Sequence, residues 1–444
     1  MTSWGGIPSC LGELPNLQGL ELGTNQLTGT LPESLCELTQ LLNLVLYANR
    51  FEGTIPTCFG EMVNVYQLDL STNEMTGTLP ESLCELKELV YLNLFINNFE
   101  GVVPSCLGGL PKLEWLQLSF NELTGTLNEA MCEANLLVIL NLHENRIAGA
   151  IPDCLGDMVN LQQLDLSTNE MTGTLSSFCE LKQLVYLNLY DNHFEGVVPA
   201  CWGTAFPSLE TMLLHDNLLR GPLPEAWNLP SLVSIVLSNN VGLDGTLPSS
   251  LFSQQHAAAS PTSGTSSHQL NHNLRAVVIE GTHVHGTIPQ ALCSALELQT
   301  LAVSGNGLTG SLPECFTTLK TLKTLRAAHN HLVGTLPGTV GNLSAMTTMD
   351  LSNNGITGYV PSELGEMAPH LASMSLEQND LSCDLPPSVR HWKRTLNTSD
   401  DDPSSQGELV WVWRRQCPGL DHAGSGGTPP RQQTRCGHVQ LRGR

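Results

Sequence analysis

Apolar and polar positions alternate along most of this chain in one short frame, L-x-x-L-x-L-x-x-N-x-L-x-G-x-[IL]-P, typified by Leu68 to Pro80, L-D-L-S-T-N-E-M-T-G-T-L-P. Aligned on their asparagine, the copies fall at Asn25, Asn49, Asn73, Asn97, Asn121, Asn145, Asn169, Asn192, Asn217, Asn240, Asn306, Asn330, Asn354 and Asn379, mostly 24 residues apart, with Thr282 in the same place between Asn240 and Asn306. That makes fifteen repeats. In L-x-L, alternate side chains point to opposite faces of a short strand, so Leu68 and Leu70 are expected inward and Gln67, Asp69 and Ser71 outward. One such coil cannot bury its own leucines, whereas stacked coils wall one another in and pair their strands. An inward asparagine amide can satisfy backbone groups left open by the turn. The glycines that follow (Gly77, Gly101, Gly125) suit a tight bend, and the prolines (Pro80, Pro104, Pro152) suit the exit from an extended segment.

The frame resembles the leucine-rich repeat of the plant-specific type, the family of receptor-like kinase ectodomains and polygalacturonase inhibitors. The match covers roughly residues 5 to 387. The resemblance implies an α/β solenoid, a right-handed superhelix of about fifteen 24-residue repeats with a parallel β-sheet on its concave face. The expected organisation is a solenoid over 1–387 and a short C-terminal cap with a disordered tail over 388–444, where Cys417 and Cys436 could pair. Residues 253–273, rich in Ser, Ala, Thr and His, are expected to form a flexible insert. The histidines around it (His256, His268, His272, His283, His285) lack the helical pattern a metal site would use, and no metal or other cofactor is expected. Gly6-Ile7-Pro8 resembles the end of a repeat whose beginning is absent, so a truncated start without its N-terminal cap is the expectation.

Net charge is −23, and up to residue 387 there are 37 acidic residues against 10 basic. An acidic surface disfavours nucleic acid and anionic membranes, which require basic patches. No apolar run approaches the ~18 residues of a membrane helix.

Nine cysteines in repeats one to eight (Cys10, Cys36, Cys58, Cys84, Cys106, Cys132, Cys154, Cys179, Cys201) alternate between two positions, so the repeats come in pairs. The expectation is small buried thiols packing like alanine. A disulfide ladder between neighbouring coils is the alternative, since coil spacing of ~4.8 Å suits the Cα separation of a disulfide. A longer period is also present: Cys58–Leu79 and Cys154–Leu175 differ at four of 22 positions. Either a ligand with its own repeat uses both copies, or the duplication is slack.

The outward strand positions of repeats two to eight carry Tyr47, Asp69, Tyr91, Asn93, Phe95, Trp115, Gln117, Asn141, His143, Asp165, Tyr186, Asn188 and Tyr190, in a chain only 5% aromatic. Exposed aromatics flanked by amides favour ligand recognition; tyrosines stiffening the sheet are the alternative. From repeat ten the columns turn small (Ser234, Ser238, Thr300, Ala302, Ser304, Thr324, Thr348, Ser352).

There is no kinase V-A-I-K or H-R-D segment, no G-x-S-x-G, H-E-x-x-H or Walker A, and an enzyme is not expected. The expectation is a non-catalytic recognition protein, receptor-ectodomain-like or a secreted inhibitor or sensor, taking a protein, peptide or polysaccharide on the concave face. An intracellular interaction scaffold is the alternative if Met1 is the true start. An ice-binding protein, from the threonine ladder Thr30, Thr54, Thr78, Thr126 and Thr174, is more remote because Val102, Ala150 and Val197 interrupt it. The resemblance implies an extracellular or cell-surface location. Asn342-Leu-Ser344 and Asn397-Thr-Ser399 are glycosylation sequons that matter only in that setting.

Overall fold

Each repeat closes into one coil. In a computed structural model, residues 5–253, 273–367, 371–382 and 386–387 are described. They fall into two compact units, one ending at Asn273 and one beginning at Leu274. In the first unit, ten three-residue strands pair in parallel in chain order: Gly19–Glu21, Asn43–Val45, Gln67–Asp69, Tyr91–Asn93, Trp115–Gln117, Ile139–Asn141, Gln163–Asp165, Tyr186–Asn188, Thr211–Leu213 and Ser234–Val236, numbered here as coils 1 to 10. The second unit has five more, coils 11 to 15: Ala276–Val278, Thr300–Ala302, Thr324–Arg326, Thr348–Asp350 and Ser373–Ser375. The fold is an α/β solenoid of leucine-rich repeats.

Register is in phase with the repeat, so Gln67 lies opposite Tyr91 and Tyr91 opposite Trp115. Columns of equivalent residues therefore run across the sheet. Inward leucines such as Leu68, Leu70, Leu92 and Leu94 are fully buried, each contributing roughly 1.5–3 kcal/mol from burial.

After each strand the chain turns through a residue with positive φ, Thr72 at 54° and Ile96 at 51° for example, and the asparagine comes next. A left-handed β-branched residue costs free energy, and the asparagine offsets it. Asn73 Oδ1 accepts from Phe51 N at 3.0 Å, while Nδ2 donates to Leu46 O of the previous coil at 3.2 Å and Leu70 O of its own at 3.0 Å. Asn49 and Asn97 repeat the pattern. At Thr282 the hydroxyl substitutes in part, accepting from Val284 N and donating to Asn306 Oδ1.

A second strand then pairs with its neighbours, as Glu74–Thr78 does with Asn98–Val102. Its glycine takes a positive φ, +79° at Gly101, where a Cβ would stand 2.8 Å from Thr78 Cγ2. The proline enters a five-residue 3-10 helix in extended conformation, Pro80 at φ −73°, ψ 138° before Glu81–Glu85. The outer side is thus mostly 3-10, with short α-helical turns only at Trp202–Ala205, Ser249–Phe252 and Leu364–Met367 among the described residues. None of the helices described is long and apolar enough to cross a membrane.

The expectation of buried free thiols is overturned. Cys36–Cys58, Cys84–Cys106, Cys132–Cys154, Cys179–Cys201 and Cys293–Cys315 are disulfides, each joining two coils at Cα separations of 5.7–5.9 Å. The two alternating positions place partner sulfurs on facing 3-10 helices, or for Cys201 just before the α-helical turn Trp202–Ala205, which a count along the chain does not reveal. Cys10 is an exposed free thiol. The insert from residue 254 to 272, Cys417, Cys436 and Asn397 lie outside the described residues, as does the C-terminal cap expected from residue 388.

Candidate functional site

On the inner sheet of the first unit, a continuous run of rings crosses coils 4 to 9. Phe95 packs edge-on against Phe120 at 5.3 Å between ring centres, Phe120 against His143 at 4.9 Å, His143 tilts against Tyr190 at 6.0 Å, and Tyr190 stacks on His215 at 4.5 Å. Coil 7 carries the small Ser167 in this column, which lets His143 reach across to Tyr190. A second pair, Tyr91 and Trp115, lies with ring centres 5.5 Å apart in the first column of the sheet.

Phe120 and His215 were not among the expected site residues. Phe120 occupies the left-handed position before Asn121, at φ 55°, so it leaves the strand pattern yet turns its ring onto the sheet. A ring at that position, where the other coils carry no aromatic except His329, was the available signal. His215 continues the Tyr190 column one coil further. Burial lowers its imidazole pKa below the ordinary value, against the opposing pull of Asp216 and Asp191.

The polar side chains interlock beneath the rings. Ser167 donates its N–H at 3.1 Å and its hydroxyl at 2.5 Å to Asp165 Oδ1, and Asn188 Nδ2 donates to Asp165 Oδ2 at 3.1 Å, Ser167 Oγ at 3.0 Å and the Tyr186 hydroxyl at 3.1 Å. The serine's one proton is committed to Asp165. His143 Nδ1, 2.7 Å from the same Oγ, must therefore carry a hydrogen and donate it. Burial first, and the Asp165 charge second, push the Tyr186 hydroxyl up to about 12. Asn141 accepts from His143 N at 3.0 Å, and Asn93 from Phe95 N at 3.2 Å, so these amides also hold the aromatic columns.

Two expectations need correction. Asp69 and Ser71 are not freely outward: 8% and 5% exposed, they are sunk into the sheet because Ser71 donates its N–H and hydroxyl to Asp69 Oδ1 at 3.0 and 2.6 Å. Asn188 is likewise buried, at 3% exposure, under the network just described. Tyr47 and Trp115 are exposed, while Tyr91, Asn93, Phe95, Gln117, Asn141, His143, Asp165, Tyr186 and Tyr190 are half-buried. Tyr47 stands apart from the ring run, its ring laid over Gly23, where an added Cβ would meet Cε1 at 2.4 Å.

A family model described as a leucine-rich repeat region matches residues 1–243, and a leucine-rich repeat model matches 297–319 and 345–367. No curated protein sequence matches. Among solved structures, the Arabidopsis receptor kinase HAESA, in complex with the peptide hormone IDA and the co-receptor SERK1, is 30% identical with a TM-score of 0.80, over 88% of this chain and 62% of that one. The plant peptide hormone receptor RGFR1, in complex with RGF2, is 27% identical with a TM-score of 0.78, over 87% and 63%. A TDR receptor is 27% identical with a TM-score of 0.79, over 87% and 64%. The chain thus spans under two thirds of the length of these relatives.

Proposed function

The chain belongs to the leucine-rich repeat family, and on that premise we propose that it is a non-catalytic receptor-type recognition protein that binds an extended peptide on the inner sheet of coils 3 to 9. The observation that carries this reading is the ring run Phe95, Phe120, His143, Tyr190, His215, displayed on backbone that is pinned coil by coil. Rigid aromatics offer contact area with little conformational entropy to lose. Two of the similar receptors, RGFR1 and HAESA, are seen in complex with RGF2 and with the peptide hormone IDA, which supports a peptide over a polysaccharide. Five disulfides favour an oxidising compartment and so an extracellular setting over the intracellular scaffold. Asn342, exposed at the end of the 3-10 helix Gly338–Asn342, is then the acceptor of an N-linked glycan.

The test is selection of a displayed random-peptide library on the whole chain, followed by affinity measurement of the selected peptides. Phe120→Ala with Tyr190→Ala is expected to weaken them at least tenfold, and Tyr359→Ala, exposed in the second unit, to leave them unchanged. Equal affinity for all three proteins would refute the assignment.

A further inference from the structure

An Asp-x-Ser element occurs three times on the inner strands, at Asp69–Ser71, Asp165–Ser167 and Asp350–Ser352, and each time the serine N–H and hydroxyl donate to the aspartate Oδ1. The surroundings of the second carboxylate oxygen distinguish the three. Asp165 Oδ2 accepts from Asn188 at 3.1 Å. Asp350 has a cation, Arg326, as its strand neighbour, although no ion pair joins the two among the described residues.

Asp69 has neither. Its strand neighbours are Val45 and Asn93, and Asn93 turns its amide to the Tyr91 hydroxyl at 3.2 Å instead. The place taken by His143 beside Ser167 belongs here to Tyr47, whose ring leans the other way over Gly23. Among the described residues no side chain donates to Asp69 Oδ2, and none of the ion pairs includes it. The same duplicated block has therefore produced one closed cluster and one with an open acceptor.

Asp69 is 8% exposed, and its unpaired Oδ2 still reaches the surface, where it can take a charged donor. Beside it stands Tyr91, whose hydroxyl is raised by burial and then by the charge of Asp69, so the phenol stays neutral. Beyond Tyr91 lies Trp115, tilted 42° to it and 39% exposed. An acid with aromatic faces alongside suits a planar, weakly hydrated guanidinium better than a compact, strongly hydrated ammonium.

We propose that Asp69, Tyr91 and Trp115 form a subsite for the arginine side chain of a bound peptide, the guanidinium donating to Asp69 Oδ2 against Tyr91 and the aliphatic stem running over Trp115. This deepens the peptide-binding reading and rests on it only in laying the peptide on this sheet. Nothing else on coils 2 to 5 closes the open oxygen.

The test is titration of the whole chain with N-acetyl-arginine amide, N-acetyl-lysine amide and N-acetyl-citrulline amide by saturation-transfer NMR. Arginine is expected to bind with a Kd on the order of 1 mM, lysine several-fold more weakly and citrulline not measurably. Asp69→Asn keeps an acceptor for Ser71 and is expected to lose at least tenfold in arginine affinity, with Asp350→Asn unchanged. Citrulline or lysine binding as well as arginine, or full affinity in Asp69→Asn, would overturn the subsite; the two analogues probe the wild-type chain and do not depend on a variant folding. If arginine fails while selected peptides still respond to Phe120→Ala with Tyr190→Ala, the subsite falls and the recognition face stands.

Discussion

Asn73 ties two coils together through one amide, and its neighbours along the chain do the same. Replacing it by alanine leaves Phe51 N–H without its acceptor in a dry interior, a cost of about 1–3 kcal/mol, while Leu46 O keeps the bond from Asn49 Nδ2. Asn73→Ala should therefore lower the denaturant midpoint clearly, whereas Asn98→Ala, on the exposed side of the second strand, should barely move it. Tyr186 makes a separate prediction. Its folded pKa of about 12 exceeds the unfolded value, so its contribution to stability is complete below pH 10 and is lost as pH rises towards 12. Ultraviolet titration of the wild type minus Tyr186→Phe should place the missing phenolate transition near 12; a transition near 10 would show that the hydroxyl is not held as described. At this scale the role of the asparagine was legible, because an amide carries two donor hydrogens and an acceptor oxygen, enough to serve two coils at once. The sunken Asp69 and the ring of Phe120 were not, since alternation along a strand says which face a residue meets and nothing about how deep it sits or where a left-handed residue turns.

Between coils, two devices fix the spacing. Gly101 holds φ +79° against the Thr78 methyl, so Gly101→Ala should cost about 1–3 kcal/mol through backbone strain and crowding together. Gly109→Ala, where a Cβ comes no nearer than 4.0 Å to Glu133 Oε2, should cost much less in the same thermal melt. The disulfides clamp coils in pairs. Opening Cys84–Cys106, with its 22-residue separation, by a double serine substitution should remove roughly 3 kcal/mol, and a thiol assay on the unreduced chain should find Cys10 but not Cys84 or Cys106. The strands, glycine bends and proline exits could be read from periodicity, because each follows from a local requirement of one coil. The disulfides could not, because they depend on which way two side chains point across a gap between coils.

At the scale of the whole molecule, repetition gives a long sheet surface and the departures from repetition give it chemistry. Coils 4 to 9 carry the rings, while the second unit places Thr300, Thr324 and Thr348 in the column that holds Tyr91, Trp115 and Tyr186 in the first. The solenoid class was therefore evident from the frame alone, and the candidate face proposed here from where large residues broke an otherwise small column. What a peptide would meet there, an aromatic floor with one open carboxylate, depends on side-chain orientations that differ between two nearly identical sequence blocks. Oxidative footprinting of the chain with and without a library-selected peptide tests the central claim most directly. Protection of Trp115, Phe120 and Tyr190, with Tyr359 unchanged, is the predicted result. Protection confined to residues off the inner sheet, with Trp115 and Tyr190 oxidised at the same rate as in the free chain, would contradict it.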